Sequence, residues 1–222
     1  MLIFNNFGIR IYVTPILSSG PSRAVAEKVA VKSLLKEAFP SQRDLRIGHR
    51  YTGAPFLTTS KNGRPNDMAP DGRPFPAISV SHCRSMAAIA IAPPGTPIGI
   101  DCETPDRLRQ LERVAPRFLS SDQLEVWSKA PAVLWAWTIK EAAYKAADRP
   151  GLDLGWIPLP MEMPLGEPTA DSMIKLPDGD FCVVQIDNPM PSVLMLVYAP
   201  VESDDEDYDD EDCIDTTPIR EF

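Results

Sequence analysis

The chain has 222 residues, 44% of them hydrophobic and 24% charged, a length and balance that suit a soluble protein with one large core or two packed halves and exclude wholesale disorder. No uncharged run approaches the length of a membrane span, and the N-terminal Met-Leu-Ile-Phe-Asn-Asn-Phe-Gly-Ile-Arg lacks the basic start and long apolar centre of a secretory signal, so the expected compartment is the cytoplasm. The net charge of −9 is concentrated in residues 202–212, which hold nine of the 31 acidic side chains; residues 1–201 carry 20 acidic and 21 basic ones.

In chain order, residues 7–13 alternate and predict a strand. Residues 22–39 predict a helix with Ser22 as N-cap and Val25, Val29, Leu34, Leu35 and Ala38 as its apolar positions, ended by Pro40. Residues 45–51 read as a strand, Gly53-Ala54-Pro55 as a turn, and the Gly-, Asn-, Asp- and Pro-rich stretch 60–74 as a loop. Two short strands follow at 77–80 and 86–91, the second apolar on both faces and so central in a sheet. Pro93-Pro94-Gly95 divides the chain. Beyond it come a strand at 97–103, helices at 107–114, 121–129 and 132–147, and strand-like stretches around Met161 and at 173–176, 181–186 and 193–198. The pattern is α+β in two comparable halves, 1–93 and 94–200, followed by an acidic tail, 201–222, that repels itself, buries nothing and is expected to be disordered. Residues 1–92 carry a net charge of +7 and residues 93–201 a net of −6, a split that suits an anionic ligand on one side and a cation on the other.

Several chemistries are excluded by residue type. The two histidines, His49 and His82, cannot build a His-rich metal site or a His-Glu-x-x-His protease motif. Neither nucleotide-binding glycine loop, Gly-x-Gly-x-x-Gly or a loop ending in Gly-Lys-Ser/Thr, is present. Cys83, Cys102, Cys182 and Cys213 are scattered and read as free thiols.

Three stretches carry chemistry. In Ile98-Gly99-Ile100-Asp101-Cys102-Glu103, strand alternation puts Ile98, Ile100 and Cys102 toward a core and Gly99, Asp101 and Glu103 on the opposite face, where two carboxylates close together call for a cation. All-oxygen donors favour Mg²⁺ over zinc, and Gly99 leaves room on that face for a ligand. Taken alone, the pair is more simply read as an ordinary strand end meeting solvent. In Trp137-Thr138-Ile139-Lys140-Glu141 through Lys145, the apolar stripe Trp135, Ile139, Ala142 and Ala146 faces a core, Glu141 and Lys145 share a flank, and Lys140 points elsewhere. Taken alone, that pair is an exposed i,i+4 contact. Ser81-His82 at a strand end offers donors for a phosphate, although a lone histidine is more often structural. Together these residue types describe phosphoryl-group chemistry on a pyrophosphate, where positioning and charge neutralisation do most of the catalysis.

At this point the chain resembles the 4'-phosphopantetheinyl transferases of the long single-chain, surfactin-synthetase-activating type. Gly99-Ile100-Asp101-Cys102-Glu103 is similar to that family's Gly-Ile-Asp-x-Glu, and residues 137–145 to its Trp-Ser-x-Lys-Glu-(x)3-Lys, with support from Ser81-His82, Gly53-Ala54-Pro55, Arg117-Phe118-Leu119-Ser120 and Arg23. The resemblance implies a pseudo-twofold α+β fold with its active site between the halves, and Mg²⁺-dependent transfer of the phosphopantetheine arm of coenzyme A to a serine of an acyl, peptidyl or aryl carrier protein, releasing adenosine 3',5'-bisphosphate. It also implies the roles: Asp101, Glu103 and Glu141 as metal ligands; Glu141, Lys145 and His82 as catalytic groups; and Arg23, Gly53, Pro55, Ser81, His82, Lys140 and Lys145 as coenzyme A contacts. A monomer is expected, with neither nucleic acid nor membrane as a partner.

Two departures from the family pattern stand out. Ala54 replaces a lysine, so a cationic contact to coenzyme A is missing unless Arg50 or Lys61 supplies it, and Ser79 replaces an asparagine before the Ser-His step. The alternative function is a non-catalytic coenzyme A- or partner-binding relative of the same fold.

Overall fold

A computed structural model describes residues 1–17, 22–61, 68–69, 71–161 and 169–200. The acidic tail, Cys213 and part of the 60–74 loop lie outside these. The described elements are β1 (Leu2–Asn6), β2 (Ile9–Pro15), α1 (Arg23–Ala38), β3 (Arg46–His49), β4 (Pro55–Thr58), β5 (Ala77–His82), β6 (Met86–Ala92), β7 (Ile98–Glu103), α2 (Leu108–Val114), α3 (Ser121–Trp127), α4 (Ala132–Ala147), β8 (Met173–Leu176), β9 (Gly179–Gln185) and β10 (Val193–Tyr198). The class is α+β, as the sequence predicts.

Strands β1-β2-β6-β5 form one antiparallel sheet, β7-β10-β9-β8 a second, and β3-β4 a separate hairpin. The two-sided hydrophobicity of β6 has a direct cause. Ala87, Ile89 and Ile91 join Leu34, Leu35 and Leu57 beneath α1, while Met86, Ala88, Ala90 and Ala92 pack with Ile9, Ile11 and Val13 against Ile100, Cys102, Val184, Leu194 and Leu196 of the second sheet. The other face of that sheet receives α4, whose Ile139, Ala142, Ala143 and Ala146 meet Phe181, Val183, Met195 and Val197.

Edge strands β5 and β7 are joined by serine side chains. The Ser79 hydroxyl accepts the Ile100 N–H at 3.0 Å, and Ser81 accepts the Cys102 N–H at 3.3 Å. The departure at position 79 thus serves the fold, since a short hydroxyl satisfies a buried backbone donor that would otherwise be left unpaired.

Four expectations need correction. Val25 and Val29 are exposed, Val29 at 62%, because the stripe of α1 that meets the sheet runs through Ala30, Leu34, Leu35 and Ala38. The stretch around Met161 forms no strand among the described residues; Met161 is 88% exposed in a bend. Strand β1, which pairs with β2, is an element the alternation does not suggest. Gly99 leaves no room for a ligand either, because a Cβ there would lie 1.8 Å from the Ala142 carbonyl oxygen. The missing side chain lets β7 and the α4 backbone touch. Cys83, Cys102 and Cys182 are buried free thiols, as expected.

Candidate active site

A cleft of about 1020 Å³ opens between β5, the β3–β4 turn and α4. Its lining includes Gly53 and Pro55 from the hairpin, Ser81 and His82 from β5, Asp101 from β7, and Glu141 and Lys145 from α4. Residues distant in sequence converge here because α4 crosses β7 at the glycine contact, which brings the Glu141–Lys145 flank over the carboxylate face of the strand. At the far end the helix terminus is tied to the hairpin turn. Asp148 caps α4 in the left-handed conformation at φ 42°, and its carboxylate accepts the Thr52 hydroxyl at 2.6 Å from the β3–β4 turn. Gly53, at φ 91°, makes that turn possible.

Asp101 and Glu103 are 6% and 8% exposed, which disposes of the solvated strand end. Asp101 Oδ1 accepts from the Lys145 ammonium at 2.7 Å and from the Ser81 hydroxyl at 2.7 Å, and Lys145 also donates to the Ile100 carbonyl at 2.9 Å. Its second oxygen, Oδ2, is buried and has no hydrogen-bond partner among the described residues. A buried carboxylate oxygen without a donor is costly unless a cation completes it.

Glu103 faces a smaller neighbouring hollow of about 580 Å³, lined also by Arg23, Glu27, His82, Cys83, Asp106 and Arg107. Its Oε1 accepts from the Arg107 guanidinium and, at 3.1 Å, from the Trp137 indole N–H, and Arg107 lies 5.4 Å over the Trp137 ring. Burial pushes the Glu103 carboxyl up to about 7, against the pull of Arg107 and with Asp101 adding to the rise. Glu141, half-buried, is also raised, first by burial and then by Asp101, with Lys145 and Arg107 opposing. Asp101 thus acts electrostatically on both glutamates, so the three carboxyl groups form one charged neighbourhood.

The donor chemistry fits a hard divalent cation: oxygen ligands only, an unpartnered Oδ2, and carboxylates whose mutual repulsion a cation would relieve. Among the described residues, however, no three His, Cys, Asp or Glu side chains are gathered as a ready cage. Lys145 holds one oxygen of Asp101 and Arg107 one oxygen of Glu103. These cations neutralise the carboxylates in the structure as it stands.

Besides Glu103, two residues anticipated for the cleft lie elsewhere. Lys140 is fully buried, and its ammonium donates to the Leu154 carbonyl at 2.7 Å and to that of Ile157. It fastens the turn after α4, on the side of the helix away from the cleft, and cannot reach a ligand there. Arg23 lines the smaller hollow, bonded through Nε to Glu27 at 2.7 Å. Of the candidate replacements for the lysine absent at position 54, Arg50 lines the cleft, 3.9 Å from Asp148. Arg107 and Glu27 are not anticipated by the sequence. The only hint of Arg107 is its place four residues after Glu103, and the intervening 3-10 turn Pro105–Arg107 obscures that spacing.

Residues 97–181 match the family model of the 4'-phosphopantetheinyl transferase superfamily. The matched stretch spans less than half of the chain and carries Asp101, Glu103, Glu141 and Lys145; Gly53, Pro55, Ser81 and His82 lie outside it. No curated protein matches the chain. The family match supports phosphopantetheinyl transfer in general, with coenzyme A as donor and carrier proteins as acceptors. Among the described residues no helix is long and apolar enough to cross a membrane.

Proposed function

We propose that this chain is a holo-carrier-protein synthase, which transfers the 4'-phosphopantetheine arm of coenzyme A to a serine of an acyl or peptidyl carrier protein in the cytoplasm, and does so as a monomer with Mg²⁺. The observation that carries this reading is the convergence of Asp101 from β7 and Glu141 from α4 on one cleft, with a buried oxygen of Asp101 left without a partner among the described residues. The two helix-backed sheets are read as pseudo-twofold halves, 1–93 and 94–200, of the long single-chain form.

Asp101, Glu103 and Glu141 would hold the divalent ion, whose chemistry is to neutralise charge on a pyrophosphate. The remaining work falls to the chain itself. Glu141, its carboxyl raised by burial, is the better proton acceptor for it and takes the proton of the acceptor serine. The serine oxygen forms a bond to the phosphorus bearing the pantetheine, the bond from that phosphorus to the nucleotide's phosphate oxygen breaks, and adenosine 3',5'-bisphosphate departs. Lys145, at the mouth of the Asp101 pair, stabilises the departing oxygen. Ser81 fixes Asp101 through its hydroxyl, His82 offers a donor to phosphate, and Gly53, Pro55 and Arg50 flank the far end of the cleft, where the nucleotide is seated.

The test is mass spectrometry of an apo carrier protein, the fatty-acid carrier first, incubated with coenzyme A and Mg²⁺. Addition of the arm is expected. If none of several carriers gains it while coenzyme A still binds, the non-catalytic alternative takes its place.

A further inference from the structure

Glu27 lies on α1, in the half of the chain that carries no metal motif, yet its side chain is only 16% exposed and reaches the hollow beside Glu103. Its Oε1 accepts from Arg23 Nε at 2.7 Å and faces His82 Nδ1 at 3.6 Å. His82 belongs to both hollows. With Nδ1 turned toward the α1 carboxylate, the ring has one nitrogen, Nε2, left for the larger cleft.

We propose that Glu27 is a positioning residue: it holds the proton of His82 on Nδ1 and fixes the ring so that Nε2 addresses the substrate cleft. The proposal rests on the transferase reading only for its functional consequence. The physical argument is general. The two nitrogens of an imidazole are distinct, and the partner of one decides both the orientation of the ring and the character of the other. His82 sits at the end of β5, immediately after Ser81, which is locked onto Asp101 and β7; its backbone is therefore fixed, and the freedom left to it is rotation of the ring. A carboxylate supplied by α1, 3.6 Å from Nδ1, is the group placed to limit that freedom. Arg23 completes the arrangement by holding the same carboxylate oxygen from the solvent side, so Glu27 is itself braced. The chain thereby links its N-terminal helix to the position of a group in the cleft without touching the substrate.

A neutral imidazole with its proton on Nδ1 presents Nε2 as an acceptor, and one that picks up a second proton presents Nε2–H as a donor to a phosphate oxygen. Both states keep Nδ1 facing the Glu27 carboxylate. Binding of an anion at Nε2 then needs only the arrival of one proton on an imidazole already aimed, with no ring flip.

The test is long-range ¹H–¹⁵N correlation NMR on the full chain, in which only His49 and His82 contribute imidazole signals and His82→Asn assigns them. In the free protein above neutral pH, His82 is expected to carry its proton on Nδ1. Glu27→Ala should shift it to the Nε2–H form that free histidine favours, Glu27→Gln should keep it on Nδ1, and Arg23→Ala should leave it there. In steady-state assays Glu27→Ala should raise the KM for coenzyme A by ~10-fold, the lower end of what orienting partners of histidine typically contribute, with a smaller change in kcat, and Glu27→Gln should recover most of the loss. An Nε2–H tautomer in the unmodified protein, or one insensitive to Glu27→Ala, overturns the proposal. If the tautomer behaves as stated and no arm transfer occurs on any carrier, the positioning stands and the transferase reading fails.

Discussion

The two long helices sit in equivalent places, each covering the outer face of a four-stranded sheet, and treat their charged side chains in opposite ways. On α4, Lys140, Glu141 and Lys145 are buried or half-buried, with Lys140 and Lys145 committed to specific partners; on α1, most charged side chains meet solvent, and two valines are exposed among them. Burial of an ionic group is unfavourable unless its partners are placed for it. The difference therefore marks where the fold has spent stability on chemistry: on the β7–α4 face, and at only Glu27 on the α1 face.

The largest effects should come from that face. Asp101→Asn and Glu141→Gln are each expected to reduce carrier modification by at least ~10³-fold, the scale on which charge-stabilising groups act, with melting temperature monitored to exclude unfolding. Full activity in either would break the contrast between the helices. Next comes Gly99→Ala. Its Cβ would meet the Ala142 carbonyl oxygen at 1.8 Å, so β7 and α4 must separate, and a loss of more than ~4 kcal/mol is expected in chemical denaturation. An unperturbed midpoint would mean the crossing is looser than described.

Lys140→Met should lower stability by roughly 2–4 kcal/mol, because the Leu154 and Ile157 carbonyls lose a buried charged donor. A loss of coenzyme A affinity with no loss of stability would return Lys140 to the cleft. Glu103 gives a pH signature. Its carboxyl is pushed up to about 7 in the fold and titrates near ~4.3 in the unfolded chain. The native state therefore binds more protons between these values, and stability falls as pH rises through that window, by on the order of 2 kcal/mol in metal-free protein. Glu103→Gln should flatten the slope; an unchanged slope assigns it to another group. The smallest effects belong to the surface of α1 and to residues 202–222. Val29→Lys should shift stability by less than ~0.5 kcal/mol, and removal of 202–222 should leave the transfer rate unchanged or raise it at low salt. A large loss in either case would show that those residues meet something.

The strand alternation of 98–103 and the 3.6-residue period of 132–147 suffice to put Asp101 and the Glu141–Lys145 flank on the correct faces of their own elements. Their meeting in one cleft is implied only by the family resemblance, since spacing within a segment says nothing about its distant neighbours. Gly99 is misread because a strand seen in isolation does not reveal that a helix backbone lies against it. Lys140 is grouped with its neighbours by motif, whereas its direction on α4 sends it to the opposite side. Val25 and Val29 illustrate a different limit. Their hydrophobicity is real, but Leu34 and Leu35 set the rotation of α1 against the sheet, and the valines fall roughly half a turn away from the buried stripe. Arg107 and Glu27 escape a sequence reading because each acts across a boundary between elements, one through a 3-10 turn and one between a helix and a distant strand end.

The central claim is that β7 and α4 act on one divalent ion, and calorimetry of coenzyme A binding with and without Mg²⁺ addresses it directly. Affinity in the unmodified chain should rise when Mg²⁺ is present. In Asp101→Asn and in Glu141→Gln the gain should vanish, and the double variant should lose no more than either single one. A Mg²⁺-dependent gain that survives in Glu141→Gln would contradict the account, because the helix carboxylate would then play no part in holding the ion.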